Sequence, residues 1–236
     1  MFKFAAITLL LTGALSAGAL MPVPSVNIMI GGGSVVLEDP TVTPLPGDAQ
    51  AWTWATFSDG ETWEVSSMFF SFKQDPFVDY GIAVKNFSGA PLMFTFVFLA
   101  GYGGGPYTLL DSSHSSSVTD GGNGLVVVTP GMKADIHTPE LDGTDFLAAA
   151  IGMGCAPAGA PGFSAACEAG NSMGHAIASA VAGTLAVTVS FTLSPGDIYT
   201  ANGRVEIYNN PIPEPSTYAM AVAGIGLLFV VRRFRG

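Results

Sequence analysis

Apolar side chains recur at every second position along much of this chain. Between residues 184 and 193, Leu185, Val187, Val189, Phe191 and Leu193 fall on one face, and Thr184, Ala186, Thr188, Ser190 and Thr192 fall on the other. That is the pattern of a half-buried strand with a threonine-rich outer side. Residues 92–99 alternate Leu92, Phe94, Phe96 and Phe98 against Met93, Thr95, Val97 and Leu99, so both faces are mostly apolar and a central strand is predicted. Weaker alternation predicts strands over 51–57, 62–72, 80–84, 125–128, 133–137 and 204–208, punctuated by Gly, Pro, Asp and Ser turns. Many short strands so spaced predict a mainly β fold, an antiparallel β-sandwich of jelly-roll or Ig-like kind. The alanine-rich stretches 145–153 and 175–181 break the period and are expected as short helices, the first alternatively as a strand.

The two ends follow a different rule. Lys3 precedes an uncharged apolar run up to Leu15, and Ala17-Gly18-Ala19 supplies the small residues a signal peptidase needs. The run is too short to span a bilayer of about 30 Å, so residues 1–19 read as a signal peptide, a short apolar helix cleaved after Ala19. At the other end, residues 216–231 carry no charge and are followed by Arg232, Arg233 and Arg235. A helix over 216–231 is about 24 Å long, marginal for a span, and the arginines set its C-terminus in the cytoplasm. Just before it stands Pro213-Glu214-Pro215. Each proline fixes its own φ and biases its predecessor toward extended backbone, so Glu214 is presented in an extended tripeptide beside the membrane.

This tail resembles the PEP-CTERM sorting signal of exported proteins in Gram-negative bacteria: the motif at 213–215, a transmembrane helix at 216–231 and a basic tail at 232–236. The resemblance implies export, transient anchoring in the inner membrane, cleavage near the motif by an exosortase, and delivery to the cell surface or extracellular matrix. Residues 80–96, with Asn86-Phe87-Ser88 ahead of a Phe-x-Phe strand, and residues 191–197 also resemble stretches common in exported proteins with this tail.

Between the ends, residues 20–210 are expected to form one exported domain, and the sorting signal occupies 211–236. Residues 20–212 hold 17 acidic and four basic side chains, a net charge of −13. Nucleic acid is excluded as a partner, because phosphate binding needs clustered Lys and Arg. Cys155 and Cys167 are the only cysteines; export and an even count predict that they pair, closing a loop of small residues.

Candidate chemistry is thin. Gly170-Asn171-Ser172-Met173-Gly174 matches the G-x-S-x-G nucleophile elbow, yet no histidine follows His175 and no apolar strand precedes the motif, so it is expected as a small-residue turn. Residues 111–117, with Asp111, His114 and five serines, are expected as a solvated loop. His114, His137 and His175 lack metal-ligand spacing, and no metal or cofactor is predicted. The oxygen-rich turns 120–124 and 142–145 suit calcium only as far as any Asp/Gly/Asn turn does. Residues 101–106 read as a flexible glycine loop, and Trp52, Trp54, Trp63, Tyr102 and Tyr107 as core residues or, if exposed, sugar-stacking platforms.

The sequence therefore reads as a non-enzymatic cell-envelope or matrix protein, with signal peptidase, exosortase and the inner membrane as partners. The alternative is a carbohydrate-binding surface module, with extracellular polysaccharide as its partner, for which Trp52 and Trp54 should share an exposed concave face. A secreted serine hydrolase using Ser172 stands third and requires a histidine within hydrogen-bond reach of it.

Overall fold

The strands predicted from alternation assemble into two facing antiparallel sheets in the computed structural model, which describes residues 23–73, 76–121, 128–155 and 163–209. In chain order they are β1 (Ser25–Ile30), β2 (Gly33–Val35), β3 (Thr41–Pro44), β4 (Gln50–Trp54), β5 (Phe57–Ser58), β6 (Trp63–Lys73), β7 (Phe77–Asn86), β8 (Leu92–Tyr102), β9 (Tyr107–Thr119), β10 (Val128–Pro130), β11 (His137–Leu141), β12 (Thr144–Asp145), β13 (Ser164–Ala180), β14 (Gly183–Leu193) and β15 (Ile198–Tyr208). One sheet runs β12-β11-β14-β8-β1-β2, with β10 also on β14; the other runs β13-β9-β15-β7-β6-β4-β3, with β5 on β6. The steps β7 to β8, β8 to β9, β13 to β14 and β14 to β15 each change sheet, which interleaves the two layers as a sandwich requires.

The core lies between the sheets. Phe94, Phe96 and Phe98 of β8 are fully buried, as are Val187, Val189 and Phe191 of β14, and β8 pairs with β14 over eleven consecutive residues without a break. From the opposite sheet, Phe70 stacks near Phe98 at 5.6 Å, Tyr80 lies parallel to Phe98 at 5.1 Å, and Tyr199 meets Phe191 at 4.3 Å between ring centroids. Such ring pairs add about 0.5–1.5 kcal/mol each beyond the burial of their area. At the crossing from β7 to β8, buried Asn86 donates from Nδ2 to the carbonyls of Ala90 and Leu193, while its Oδ1 accepts from the Ser88 amide. The Asn-x-Ser stretch thus ties one sheet to the other.

Several expectations are corrected. Residues 175–181 are not a helix: Ala176 to Ala180 belong to β13, an edge strand whose backbone groups pair with β9, and that pairing overrides alanine's helix preference. Residues 145–153 form no α-helix: Asp145 ends β12 and a 3-10 turn follows at Leu147–Ala149. Beyond it, His137 and Ile151 exchange backbone hydrogen bonds at 2.9 and 2.8 Å, which holds the chain extended. No α-helix occurs among the described residues. Residues 133–136 are bends, and the strand starts at His137. Residues 111–117 are part of the long strand β9, not a loop, and residues 170–174 lie within β13, not in a turn. The signal helix and C-terminal helix fall outside the described residues, as do 122–127 and 156–162.

Candidate functional site

The chain's ends determine how the sorting tail is attached. β1 begins at Ser25 opposite Leu99, and β15 ends at Tyr208 opposite Leu109. Both neighbours flank the connection between β8 and β9, so the first and last described strands leave the sandwich at the same end. Ile207 there donates to the Pro76 carbonyl, which closes the end of β15 against the β6–β7 connection. Ala17, Ala19, Pro213, Glu214, Pro215, Arg232, Arg233 and Arg235 lie outside the described residues.

Cys155 and Cys167 are bonded to each other, with Cα atoms 5.2 Å apart. The bond joins a bridge to β10, where Cys155 and Val128 exchange backbone hydrogen bonds at 2.8 Å, to the first residues of β13. It therefore pins the edge strand of one sheet to the margin of the other.

Ser172 does have a histidine in reach. Its Oγ lies 2.6 Å from His175 Nε2, and the hydroxyl also stands 3.2 Å from the Ala148 carbonyl, an acceptor. The two residues sit three apart on β13, across a bulge between Ser172 and His175, and the His175 ring packs edge-on to Phe146. Asp111, on the neighbouring strand, is turned elsewhere: its Oδ1 accepts from the Gly174 amide at 2.6 Å and from the Tyr208 hydroxyl at 3.0 Å. A serine–histidine contact is present, and among the described residues no converging acid orients the imidazole as a triad requires.

The other two histidines form a polar chain that alternation alone did not reveal. His114 of β9 and His137 of β11 face each other across the core, 3% and 0% exposed, with Tyr80 of β7 between them. The Tyr80 hydroxyl is 2.8 Å from Nδ1 of each ring; His137 Nε2 is 2.7 Å from Ser112 Oγ, and His114 Nε2 is 3.5 Å from the Tyr199 hydroxyl. Tyr80 has one proton, so it donates to one Nδ1 and accepts an N–H from the other. If it donates to His114, then His137 donates from Nδ1 and accepts from Ser112 at Nε2. If it donates to His137, that ring donates to Ser112, while His114 donates from Nδ1 to Tyr80. Either way both imidazoles are neutral. Burial pushes the His114 imidazole down to about 4 and His137 well below its usual range, with His114 adding to the effect, and it pushes the Tyr80 phenol up. Gly203, in register with Tyr80 on one side and His114 on the other, leaves the room: a Cβ there would meet the Tyr80 hydroxyl at 2.7 Å. The missed signal was the recurrence of Leu110, Ser112, His114 and Val118 at even spacing through the serine run.

The tryptophans do not form a sugar platform. Trp52 meets Phe70 and Phe72 edge-on at 5.8 and 5.3 Å, pointing into the core, and Trp54 packs edge-on against Trp52 while donating to the Glu38 carbonyl at 3.0 Å. Trp63 packs against Phe57, and Tyr102 and Tyr107 are buried. The acidic turns are bound internally. Asp142 accepts from the Thr184 amide and the Tyr102 hydroxyl, Asp145 pairs with Lys133, and Asp197 accepts from the Gly121 amide next to Asp120. Among the described residues, no group of three or more His, Cys, Asp or Glu is placed to hold a metal.

No curated protein matches the chain. A family model described as the PEP-CTERM protein-sorting motif matches residues 211–235. That stretch contains Pro213-Glu214-Pro215, the uncharged run and all three terminal arginines, so the chain carries a PEP-CTERM sorting motif over these residues.

Proposed function

We propose that this is an exported cell-envelope or matrix protein, released by exosortase processing of its tail, whose β-domain acts by binding and presentation and carries no catalytic activity of its own. The observation that carries the reading is the sorting motif at residues 211–235. Six residues separate Asn209 from Ser216, a reach of about 20 Å when extended. The domain of the anchored precursor then stands close to the inner membrane, its β8–β9 end inward. Its high negative charge keeps it soluble and off anionic headgroups.

Glu214→Ala tests the sorting step. Both prolines, which favour extended backbone, are kept while the one carboxylate a processing enzyme can read is gone. A longer, membrane-bound precursor should accumulate in the native host, seen by mass spectrometry of the C-terminus; normal tail removal in this variant refutes the reading. The 2.6 Å contact of Ser172 with His175 favours a serine hydrolase as the second reading. It is the weaker one because no carboxylate among the described residues orients the imidazole.

A further inference from the structure

The outer face of the β13-β9-β15-β7-β6 sheet carries a groove that the sorting tail does not account for. Cross-strand register lines up two rows of side chains running across the strands. Ser71, Asp79, Arg204, Ser113 and Asn171 form one row; Phe69, Gly81, Asn202, Ser115 and Ala169 form the other. Three depressions of about 220, 300 and 240 Å³ lie along these rows and share their lining: Ser113 borders all three, Asn171 and Asn202 two each, and Arg204 two. They form one continuous trough. Five strands at about 4.8 Å spacing make it roughly 19 Å long.

Its chemistry is that of hydroxyl recognition. Two primary amides, serine hydroxyls, a guanidinium and carboxylates alternate as donors and acceptors along the floor. Arg204 is held by Asp79 at 3.3 Å and Glu206 at 2.8 Å, and Asn202 Oδ1 accepts from Ser115 at 2.9 Å, which leaves the Asn202 amide N–H groups free of that bond. The Asp79 carboxylate sits in the floor with Oδ1 buried, and its Oδ2 accepts from Arg204 Nη1 at 3.3 Å and Ser71 Oγ at 3.4 Å, which fixes the guanidinium in place. At one end the half-exposed Phe69 ring lies over Gly81, where any Cβ would collide with it, and offers an apolar surface beside the polar floor.

We propose that this trough binds a segment of a neutral polysaccharide, with the apolar face of one sugar ring on Phe69 and ring hydroxyls on Arg204, Asn202 and Asn171, Asp79 holding the guanidinium in position beneath them. A peptide strand is the poorer occupant. The β6, β7, β15 and β9 strands under the trough are paired on both sides, and the edge offered by β13 lies at one end of the trough and runs across it, so strand addition there would not fill the trough. The domain's net negative charge disfavours an acidic polysaccharide.

The test uses the full chain in lauryldimethylamine oxide, a detergent without a sugar, titrated with cellohexaose, mannohexaose and hexagalacturonate and followed by side-chain amide NMR. A neutral hexasaccharide should shift the Asn171 and Asn202 amides, with hexagalacturonate at least about tenfold weaker. Asn202→Ala and Asp79→Ala should each weaken binding about tenfold while far-UV circular dichroism stays unchanged. The proposal is overturned if neither neutral probe binds up to about 10 mM, if the acidic probe binds best, if a Ser/Asn-rich hexapeptide displaces the sugar from these amides, or if both variants bind like wild type. Glu214→Ala should leave the titration untouched, so failure of the groove and failure of the sorting reading are distinguishable.

Discussion

The centre of one sheet and the edge of the other are built on opposite principles. Along β8 and β14, bulky apolar residues alternate with small polar or apolar ones, and the two strands pair over eleven residues in a single register. Along β9 and β13, the facing residues are mostly serines, alanines and glycines, and the register shifts three times. A one-residue slip in the first pair would move Phe96, Phe98, Val187 and Val189 from the core to the outside, so burial fixes the alignment. In the second pair a slip moves little apolar area. The edge can take up bulges there, and with them the polar outer face that hosts the trough.

The sharpest way to break this contrast is to change the side-chain volume at one site on each side. Phe96→Ala, in the unbroken pair, should cost about 3–5 kcal/mol through lost burial and a residual cavity. Ala176→Val, on β13, should change stability by no more than about 0.5 kcal/mol, because that position is exposed on an edge strand. Urea midpoints at constant slope decide the matter; similar losses at both sites refute the distinction.

Acid tests the one polar feature inside the core. Both core histidines have folded-state values below the usual 6.5, so between that value and about 4 the unfolded chain binds more protons than the folded one. Their contribution is complete above about 6.5 and is lost as pH falls. His114 alone accounts for about 3 kcal/mol by pH 4, and His137 adds in the same direction. Asp79 and Asp197, whose carboxyls burial pushes up, oppose this and gain stability in acid. Urea melts from pH 7 to 4 should show a net fall that flattens in His114→Gln; a flat wild-type profile contradicts the neutral pair.

The disulfide sharpens the comparison from the edge. It joins residues twelve apart, and loop entropy assigns it about 2–3 kcal/mol. The double variant Cys155→Ser, Cys167→Ser should lose about that much, and amide exchange should accelerate first in β13 rather than β8 or β14. Equal acceleration in all three strands would mean the bond supports the whole sandwich.

What the sequence made legible follows the same line. Residues 184–193 and 92–99 announced their strands because apolar burial wrote a period of two into them. The serine run from 112 to 117 hid a strand because its buried positions are Ser112 and His114, where hydrogen bonding replaces apolar contact and leaves no hydropathic trace. Alanine did the same for 175–181, since its intrinsic preference is helical and only the backbone of β9 decides otherwise. The cysteine pair was readable from count and compartment. The Tyr80–His114–His137 chain was not, because its members come from three strands in two sheets. The trough was hidden for the same reason, as it exists only after register sets Asp79 beside Arg204 and Ser113.

The smallest expected effect concerns the feature that sequence and geometry both single out. Ser172 and His175 face each other on the bulged edge strand, where the serine hydroxyl also meets the Ala148 carbonyl. A hydroxyl proton given to that carbonyl is not being taken by the imidazole, and the nearest strand's Asp111 is already occupied by Gly174 and Tyr208. The pair therefore fastens β13 to the 3-10 turn at Leu147–Ala149. Ser172→Ala should lower stability by about 1 kcal/mol or less, the worth of one partly exposed hydrogen bond. It should leave any hydrolysis of p-nitrophenyl acetate by the protein at the rate of His175→Ala and of wild type. A drop of a hundredfold or so in both variants, the scale of a lost nucleophile or base, would instead make the edge of this sheet an active site.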